Sequence, residues 1–258
     1  MFKNLQKDPR IHYYEITDST NLQAKLLAES GAPDGTIVIA ECQTGGKGRM
    51  GRSFYSPADS GIYLSVILRP NCPAAQLMHL TCAAAVCVCD AIEAAASVRP
   101  NIKWTNDLIL GDKKLGGILT ELSLDARGNV TYAIIGVGVN CCQKELDFPE
   151  EIRSFATSIA AATCNSPDRE NIAAAVINAL RSMGDTLLCK KAAFMEQYRR
   201  DCITTGKNVS VVRGDEVRYG FAESIDDNGA LIVVFSDGHK ESVNAGEVSI
   251  RGMYGYLN

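Results

Sequence analysis

A basic, glycine-rich loop lies between two apolar strands, and this order constrains the fold more than any other feature of the chain. Thr36–Glu41 and Ile62–Leu68 are rich in β-branched and apolar residues, which predicts two buried strands. Between them, Gly46-Lys47-Gly48-Arg49-Met50-Gly51 formally matches G-x-G-x-x-G. A dinucleotide-binding fingerprint must open a helix, because the pyrophosphate sits at the helix N-terminus. Here a strand follows, so the context argues against a dinucleotide site, and no G-x-x-x-x-G-K-[ST] sequence offers a Walker loop.

The elements around this loop mix strands and helices without strict β-α-β alternation, which favours an α+β fold. We predict strands over residues 10–16 and 102–104, and a hairpin of strands 115–124 and 130–139. We predict helices over residues 74–97, 150–163, 168–189 and 191–200. A further helix begins at Ser19 as its N-cap and is expected to bury Leu22, Leu26 and Leu27.

The character of the chain changes at Thr205-Gly206. From Lys207 to Arg251 about five short strands are separated by glycine- and aspartate-containing turns, which is typical of a small all-β barrel. We therefore predict a large domain over residues 1–204 and a small C-terminal domain over residues 205–258. About 50 residues are marginal as an independent fold, so the small domain is expected to pack against the large one.

Charge and cysteine content exclude several classes of protein. The 26 Lys and Arg residues against 30 Asp and Glu residues give a net charge of -4, which argues against a generally basic nucleic-acid-binding protein. The ten cysteines have no C-x-x-C spacing and no histidine at zinc-ligand spacing, so we interpret them as apolar filler in a reducing cytosol. The N-terminal residues lack an apolar signal segment, and acidic residues interrupt the most apolar helix. We expect a cytoplasmic protein that neither spans nor binds a membrane.

The loop itself carries three cations, Lys47, Arg49 and Arg52, interleaved with glycines. Glycine allows backbone N–H groups to approach a ligand closely, and arginine offers a bidentate fork to a phosphate. The loop therefore predicts an anion site, although a solvated turn between two strands is an alternative interpretation.

Three further polar segments accompany the loop. Lys103-Trp104-Thr105-Asn106-Asp107 follows a strand, and its lysine and aspartate can bind a ligand or simply pair with a neighbouring charge. Asp18-Ser19-Thr20-Asn21 stands at a helix start, where such residues are also ordinary caps. Glycines alternate in Gly136-Val137-Gly138-Val139-Asn140 at a strand end.

Taken in chain order and together with Lys114–Glu121, these segments resemble the catalytic domain of biotin–protein ligases, also called biotin–acetyl-CoA-carboxylase ligases. The family pattern runs D-S-T-N, G-[RK]-G-R-x-G-R, K-W-P-N-D, K-x-x-G-I-L-x-E and G-x-G-x-N. The corresponding segments of this chain are Asp18–Asn21, Gly46–Arg52, Lys103–Asp107, Lys114–Glu121 and Gly136–Asn140. Two positions depart from the pattern: Lys47 stands where arginine is common, and Thr105 replaces the usual proline.

The resemblance implies both a fold and a reaction. The fold would be a mixed sheet flanked by helices, as in class II aminoacyl-tRNA synthetases and biotin ligases, with a C-terminal SH3-like barrel. The enzyme would activate biotin with ATP as biotinyl-5′-adenylate and transfer it to a lysine of a biotin carboxyl carrier protein. Mg²⁺ would accompany the ATP phosphates, with no metal ligand assigned to the protein.

The resemblance also implies an organisation and partners. Because the catalytic motifs begin at Asp18, we expect the monofunctional type, which lacks the N-terminal DNA-binding domain and binds no DNA. A monomer and a homodimer are both compatible with the sequence.

By resemblance, individual residues receive roles. The catalytic residues would be Arg49, Lys114 and Asp107. Biotin would be bound by Ser19, Thr20, Asn21, Gln43, Lys47, Gly48, Arg49 and Lys114. ATP or the adenylate would be bound by Gly46, Arg49, Arg52, Lys103, Asn106, Asp107 and Asn140. Whether Asp107 orients the nucleotide or helps to deprotonate the acceptor lysine is left open by the sequence.

Two other functions remain as alternatives. A lipoate–protein ligase has a similar fold and uses the same two-step chemistry, although the loop together with K-W-x-N-D favours biotin. A regulatory protein that binds biotin or its adenylate without transferring it is expected to lack Lys114 or Arg49, and both are present.

Overall fold

A seven-stranded mixed sheet forms the centre of the protein. The computed structural model describes residues 2–213, 216–244 and 249–251. The strand order is β1-β2-β3-β7-β6-β5-β4, with β1 and β2 parallel and the other neighbouring pairs antiparallel. The strands are β1 (Ile11–Thr17), β2 (Thr36–Gln43), β3 (Gly61–Leu68), β4 (Asn101–Lys103), β5 (Asp107–Leu110), β6 (Lys113–Leu124) and β7 (Val130–Asn140). The predicted strands and the β6–β7 hairpin are confirmed to within a few residues.

Helices cover the sheet on both faces. They are α1 (Thr20–Glu29), α2 (Leu80–Ala96), α3 (Glu150–Arg153), α4 (Ile159–Thr163), α5 (Arg169–Thr186) and α6 (Lys191–Asp201). Helix α2 packs against α5 and α6, and its alanines and valines belong to the main hydrophobic core. Residues Ala74–Ala96 are long and apolar enough to cross a membrane, but most of them are buried, as in the core helix of a globular domain.

The face that α1 turns to the sheet differs from the prediction. Leu26 is 50% exposed and Leu27 packs partly on the sheet, whereas the helix fully buries Thr20, Asn21, Ala24 and Ala28. The two alanines pack with residues of β2, β3 and β7 in a second hydrophobic cluster. Small side chains allow the helix to lie close to the strands, and this close approach carries Thr20 and Asn21 into the interior.

Two predicted helices are interrupted. The helix predicted over 150–163 is wrong as a single element, because α3 and α4 are separated by an extended segment. In that segment Phe155 O accepts from Lys114 N at 2.7 Å, and Thr157 N donates to Lys114 O at 2.9 Å. Ser158 then begins α4 by accepting from Ala161 N at 2.9 Å. The helix predicted over 74–97 opens as a 3-10 turn over Ala74–Leu77 before α2.

The C-terminal part forms a separate five-stranded antiparallel sheet in the order β11-β10-β9-β8-β12. Its strands are β8 (Asn208–Arg213), β9 (Glu216–Ile225), β10 (Leu231–Phe235), β11 (Lys240–Val243) and β12 (Ser249–Arg251), which confirms the predicted number. Trp104 Nε1 donates to Gly229 O at 2.8 Å, and Arg199 Nε donates to Ile225 O at 2.7 Å. The small sheet therefore packs against the segment that carries Trp104. The domain boundary at 204/205 stays a prediction.

Candidate active site

A cavity of about 760 Å³ opens between α1, the basic loop and the ends of β4, β6 and β7. The structure brings every residue with a predicted role to this one cavity. These residues are Ser19, Thr20, Asn21, Gln43, Gly46, Lys47, Gly48, Arg49, Arg52, Lys103, Asn106, Asp107, Lys114 and Asn140. Their proximity is a finding, whereas their individual roles stay predictions.

The basic loop is folded back on itself as a narrow ribbon. Lys47 and Ser53 form an isolated antiparallel bridge, and Gly48 N donates to Arg52 O at 2.7 Å. A Cβ atom on Gly46 would lie 2.5 Å from Phe54 O, so this position requires glycine. The ribbon holds the guanidinium of Arg49 over the cavity.

Arg49 spans the cavity to the segment after β4. Its Nη1 donates to Asn106 Oδ1 at 2.9 Å, and Asn106 Nδ2 donates to Ile118 O at 2.9 Å. Burial lowers the pKa of the Arg49 guanidinium, against the raising effect of Asp107. Asn106, predicted as a nucleotide ligand, thus also positions Arg49.

Five cations, Lys47, Arg49, Arg52, Lys103 and Lys114, face one carboxylate among the described residues that line the cavity. That carboxylate, Asp107, accepts from Lys114 Nζ at 2.6 Å. Lys103 is 6% exposed, and burial lowers the pKa of its ammonium. In a chain with a net charge of -4, the cavity has a formal charge of +4 and attracts anions.

The opposite end of the cavity is polar and neutral. Gln43 Oε1 accepts from the backbone N–H of Thr20 at 2.8 Å, and Gln43 Nε2 donates to Ser56 Oγ at 2.9 Å. Asn21 Nδ2 donates to Glu121 Oε2 at 2.6 Å. This end offers fixed hydrogen-bonding groups to an uncharged ligand.

Ser65 contacts both Thr20 and Asn21 and was not predicted from the sequence as part of the site. Its Oγ lies 2.8 Å from Thr20 Oγ1 and 2.6 Å from Asn21 Oδ1, and the residue is fully buried. The available signal was a single serine within a strand of apolar and aromatic residues, because a buried polar group requires a partner. Glu121 is the last residue of the K-x-x-G-I-L-x-E segment, but the sequence predicted no role for it.

Two glycines of β7 form the wall beside this polar end. A Cβ on Gly136 would lie 2.0 Å from Asn21 Oδ1, and a Cβ on Gly138 would lie 2.6 Å from Phe54 Cε1. The alternating glycines therefore make room for Asn21 and for the Phe54 ring.

Asn140 has a structural partner in addition to its place in the cavity wall. Its Nδ2 donates to Thr157 O at 2.9 Å, and the residue is buried. Asn140 thus ties the end of β7 to the extended segment between α3 and α4.

The apolar residues that line the cavity were not predicted from the sequence as part of the site. They include Phe54, Trp104, Val137, Ile152 and Phe155. Ile152 and Phe155 come from the segment that was predicted as one helix, so nothing local indicated that they would reach the site.

Across residues 2–213, 216–244 and 249–251 no group of three His, Cys, Asp or Glu side chains is placed to hold a metal ion.

Two family models match the chain. The biotin/lipoate A/B protein ligase family matches residues 13–140, and the biotin protein ligase C-terminal domain matches residues 204–251. These ranges contain the cavity motifs and the small sheet, respectively.

Curated relatives and solved structures agree. The chain is 37% identical to the bifunctional ligase/repressor BirA of Bacillus spizizenii, over 90% of this chain and 72% of that protein. It is 34% identical to the biotin–[acetyl-CoA-carboxylase] ligase of Mycobacterium tuberculosis, over 90% and 85%. It resembles the biotin protein ligase from Aquifex aeolicus solved with biotin and ATP, with a TM-score of 0.78, 27% identity, and coverage of 93% and 98%. The chain therefore belongs to the biotin/lipoate A/B protein ligase family, and its fold is that of the biotin protein ligases.

Proposed function

We propose that this cavity activates biotin with ATP as biotinyl-5′-adenylate and passes the biotinyl group to a lysine of a biotin carboxyl carrier protein. The chain is a biotin–protein ligase by family, fold and relatives. The observation that carries the proposal is the arrangement of the cavity. Four of its five cations, Arg49, Arg52, Lys103 and Lys114, lie around Asp107, and neutral hydrogen-bonding groups lie around Thr20 and Gln43. Such a cavity suits a ligand that has an uncharged ring and a carboxylate, beside a polyphosphate.

The cations have a direct task in the first step. The biotin carboxylate attacks the α-phosphorus of ATP, a mixed anhydride forms and pyrophosphate leaves. Two anions must approach each other, and one cation about 4 Å from an anion contributes up to about 4 kcal/mol at an effective dielectric of about 20. Arg49 and Lys114 are proposed for this role, because both lie where the loop faces β5 and β6.

The second step needs a base or a proton acceptor near the adenylate. The acceptor lysine attacks the anhydride carbonyl, an amide forms and AMP leaves. Asp107 is the carboxylate available among the described lining residues, and in this structure it is paired with Lys114. Release of Asp107 from Lys114, once Lys114 binds the adenylate, would free the carboxylate to orient the incoming amine.

Mg²⁺ is proposed to arrive with ATP, because one lining carboxylate that is already paired with a lysine makes a poor magnesium site. When bound, the ion would neutralise the β- and γ-phosphates. We also propose a cytoplasmic enzyme without DNA or membrane partners, and the net charge of -4 argues against general binding to nucleic acid. Monomer and homodimer both remain compatible with this function.

The function is tested by incubating the protein with biotin, MgATP and a carrier domain. Mass spectrometry is expected to detect one biotinyl adduct on the carrier, with pyrophosphate released at the first step. A carrier whose acceptor lysine is changed to arginine is the control for the transfer step. Adduct formation with lipoate but not with biotin would instead support the lipoate ligase.

Affinity for ATP is expected to decline as pH rises within a range below the ordinary lysine pKa of about 10.4. The reason is that burial lowers the pKa of Lys103, and the neutral amine no longer attracts phosphate. In Lys103→Arg the side chain stays charged, so the decline is expected to disappear from this range. ATP titrations from pH 7 to 10 provide the measurement, with Lys113→Arg as the control. A wild-type profile as flat as that of Lys103→Arg would contradict the assignment.

A further inference from the structure

The short segment Lys103–Asp107, which follows β4, holds two cations of the cavity in place. Asn106 Oδ1 accepts from Arg49 Nη1 at 2.9 Å, and Asp107 Oδ1 accepts from Lys114 Nζ at 2.6 Å. Arg49 reaches this segment from the basic loop, and Lys114 reaches it from β6. The position of the segment therefore sets the positions of two cations that a nucleotide phosphate would meet.

The backbone of this segment is held from outside the sheet. Strand β4 has three residues and lies at the sheet edge, beside β5. The residues after α6 cover its outer side: Cys202 forms a parallel bridge with Ile102, and Ile203 N donates to Ile102 O at 2.9 Å. Beyond the end of β4, Trp104 N donates to Thr204 Oγ1 at 2.9 Å. A side-chain hydroxyl thus continues the pairing where the strand stops.

Tyr198 of α6 supplies a second contact to the same backbone. Its hydroxyl donates to Thr105 O at 2.8 Å, and the tyrosine is fully buried. Burial raises the pKa of the Tyr198 phenol well above its ordinary value, so the hydroxyl keeps its proton and stays a donor. The Thr105 hydroxyl is buried without a hydrogen-bond partner among the described residues, so the side chain of Thr105 adds no hydrogen bond to this turn.

We propose that Tyr198 and Thr204 are positioning residues for the nucleotide end of the cavity. They hold the backbone of the two residues that precede Asn106. Neither is among the described residues that line the cavity, so each acts through the segment after β4 and not on the ligand. The inference rests on the proposed function for the identity of the nucleotide as ATP.

Tyr198→Phe is the first test, because it keeps the buried ring and removes only the donor to Thr105 O. The KM for ATP is expected to rise about 10-fold, the scale of one buried acceptor left unpaired, since ATP must then order the segment as it binds. At saturating ATP the phosphates restore the arrangement of the cations, so kcat is expected to stay within about twofold. Steady-state pyrophosphate release by the full chain gives both constants.

Tyr63→Phe is the matched control for this change. Tyr63 is equally buried, and its hydroxyl donates to Pro57 O at 2.9 Å, outside the segment after β4. This variant is expected to lose a similar amount of thermal stability while its KM for ATP stays within about twofold. An equal rise of the KM in Tyr63→Phe, or an unchanged KM in Tyr198→Phe, would overturn the inference.

Thr204 provides a second test with its own control. Thr204→Val keeps the shape and removes the acceptor of the Trp104 N–H, so the KM for ATP is expected to rise by a similar factor. Thr204→Ser retains a hydroxyl and is expected to keep the KM within about twofold of the wild type. Equal KM values in the valine and serine variants would defeat the role of Thr204.

Binding of α,β-methylene ATP with Mg²⁺ separates this inference from the proposed function, because the bridge between its α- and β-phosphates cannot be cleaved. Calorimetry is expected to show that Tyr198→Phe binds the analogue about 10-fold more weakly than the wild type. If the wild type bound the analogue but released no pyrophosphate from MgATP and biotin, the proposed function would fail, and weaker binding by Tyr198→Phe would still support the positioning role. A wild type that does not bind the analogue would defeat both.

Discussion

Replacing Lys114 by alanine is expected to slow the formation of biotinyl-adenylate by about 10²–10³-fold, the scale of losing one preorganised charge stabiliser. Lys114 lies at the start of β6, where its backbone is held by Phe155 and Thr157 and its Nζ is held by Asp107. The ammonium is therefore already held at the cavity wall before the substrates bind, and only its exchange of Asp107 for the substrate anion is needed. The measurement is the rate of biotin-dependent pyrophosphate release under single-turnover conditions.

Lys113→Ala is the matched control for this change. Lys113 adjoins Lys114 in sequence, but its Nζ bonds the exposed Glu145 at 3.0 Å and it does not line the cavity. Its loss is expected to leave the rate within about twofold, since exposed ion pairs contribute little. Near-normal pyrophosphate release by Lys114→Ala, or an equal loss in Lys113→Ala, would show that Lys114 does not stabilise the reacting charges.

Gly136→Ala is expected to weaken biotin binding by up to about 10²-fold, because the added methyl group would occupy the position of the Asn21 side chain. The new Cβ would lie 2.0 Å from Asn21 Oδ1 and 2.8 Å from Asn21 Cγ. Asn21 would have to leave both Ser65 and Glu121, and overpacking of this kind costs about 1–3 kcal/mol. Calorimetric titration with biotin measures the effect, and a thermal melt of the same sample monitors the fold.

Gly117→Ala separates this clash from a general effect of added volume. Gly117 lines the same cavity, yet an added Cβ would meet its nearest neighbour, Asp107 Oδ1, at 3.5 Å, an ordinary contact. Its effect on biotin affinity is expected to be several-fold smaller than that of Gly136→Ala. Equal losses in the two variants would argue against a specific collision with Asn21.

The motifs could be found in the sequence because each is a short, contiguous run. The basic loop and the segment after β4 contain charged and polar residue types that indicate ligand binding. The alternating glycines of β7 indicate a close approach of other groups to the backbone. The order of these runs was sufficient for the family and the reaction. The five motif segments together contain every residue with a predicted role in the cavity except Gln43.

Other parts of the site could not be predicted because their contacts are distant along the chain. The prediction for α1 was wrong for Leu26, which is exposed, and Leu27 packs only partly on the sheet, because close packing there favoured Ala24 and Ala28. The prediction for 150–163 failed because β6 binds the backbone of Phe155 and Thr157, which a helical pattern does not reveal.

By itself, the sequence determined the class of chemistry, the order of the elements and the concentration of cations in one loop, because these depend on residue types and local spacing. The tertiary structure alone decided the pairing of Lys114 with Asp107, the support of Arg49 by Asn106, and the hydrogen bond of Asn21 to Glu121. The physical reason is that a hydrogen bond has a direction set by both partners. Partners such as Asn21 and Glu121 stand 100 residues apart until the sheet and α1 bring them together.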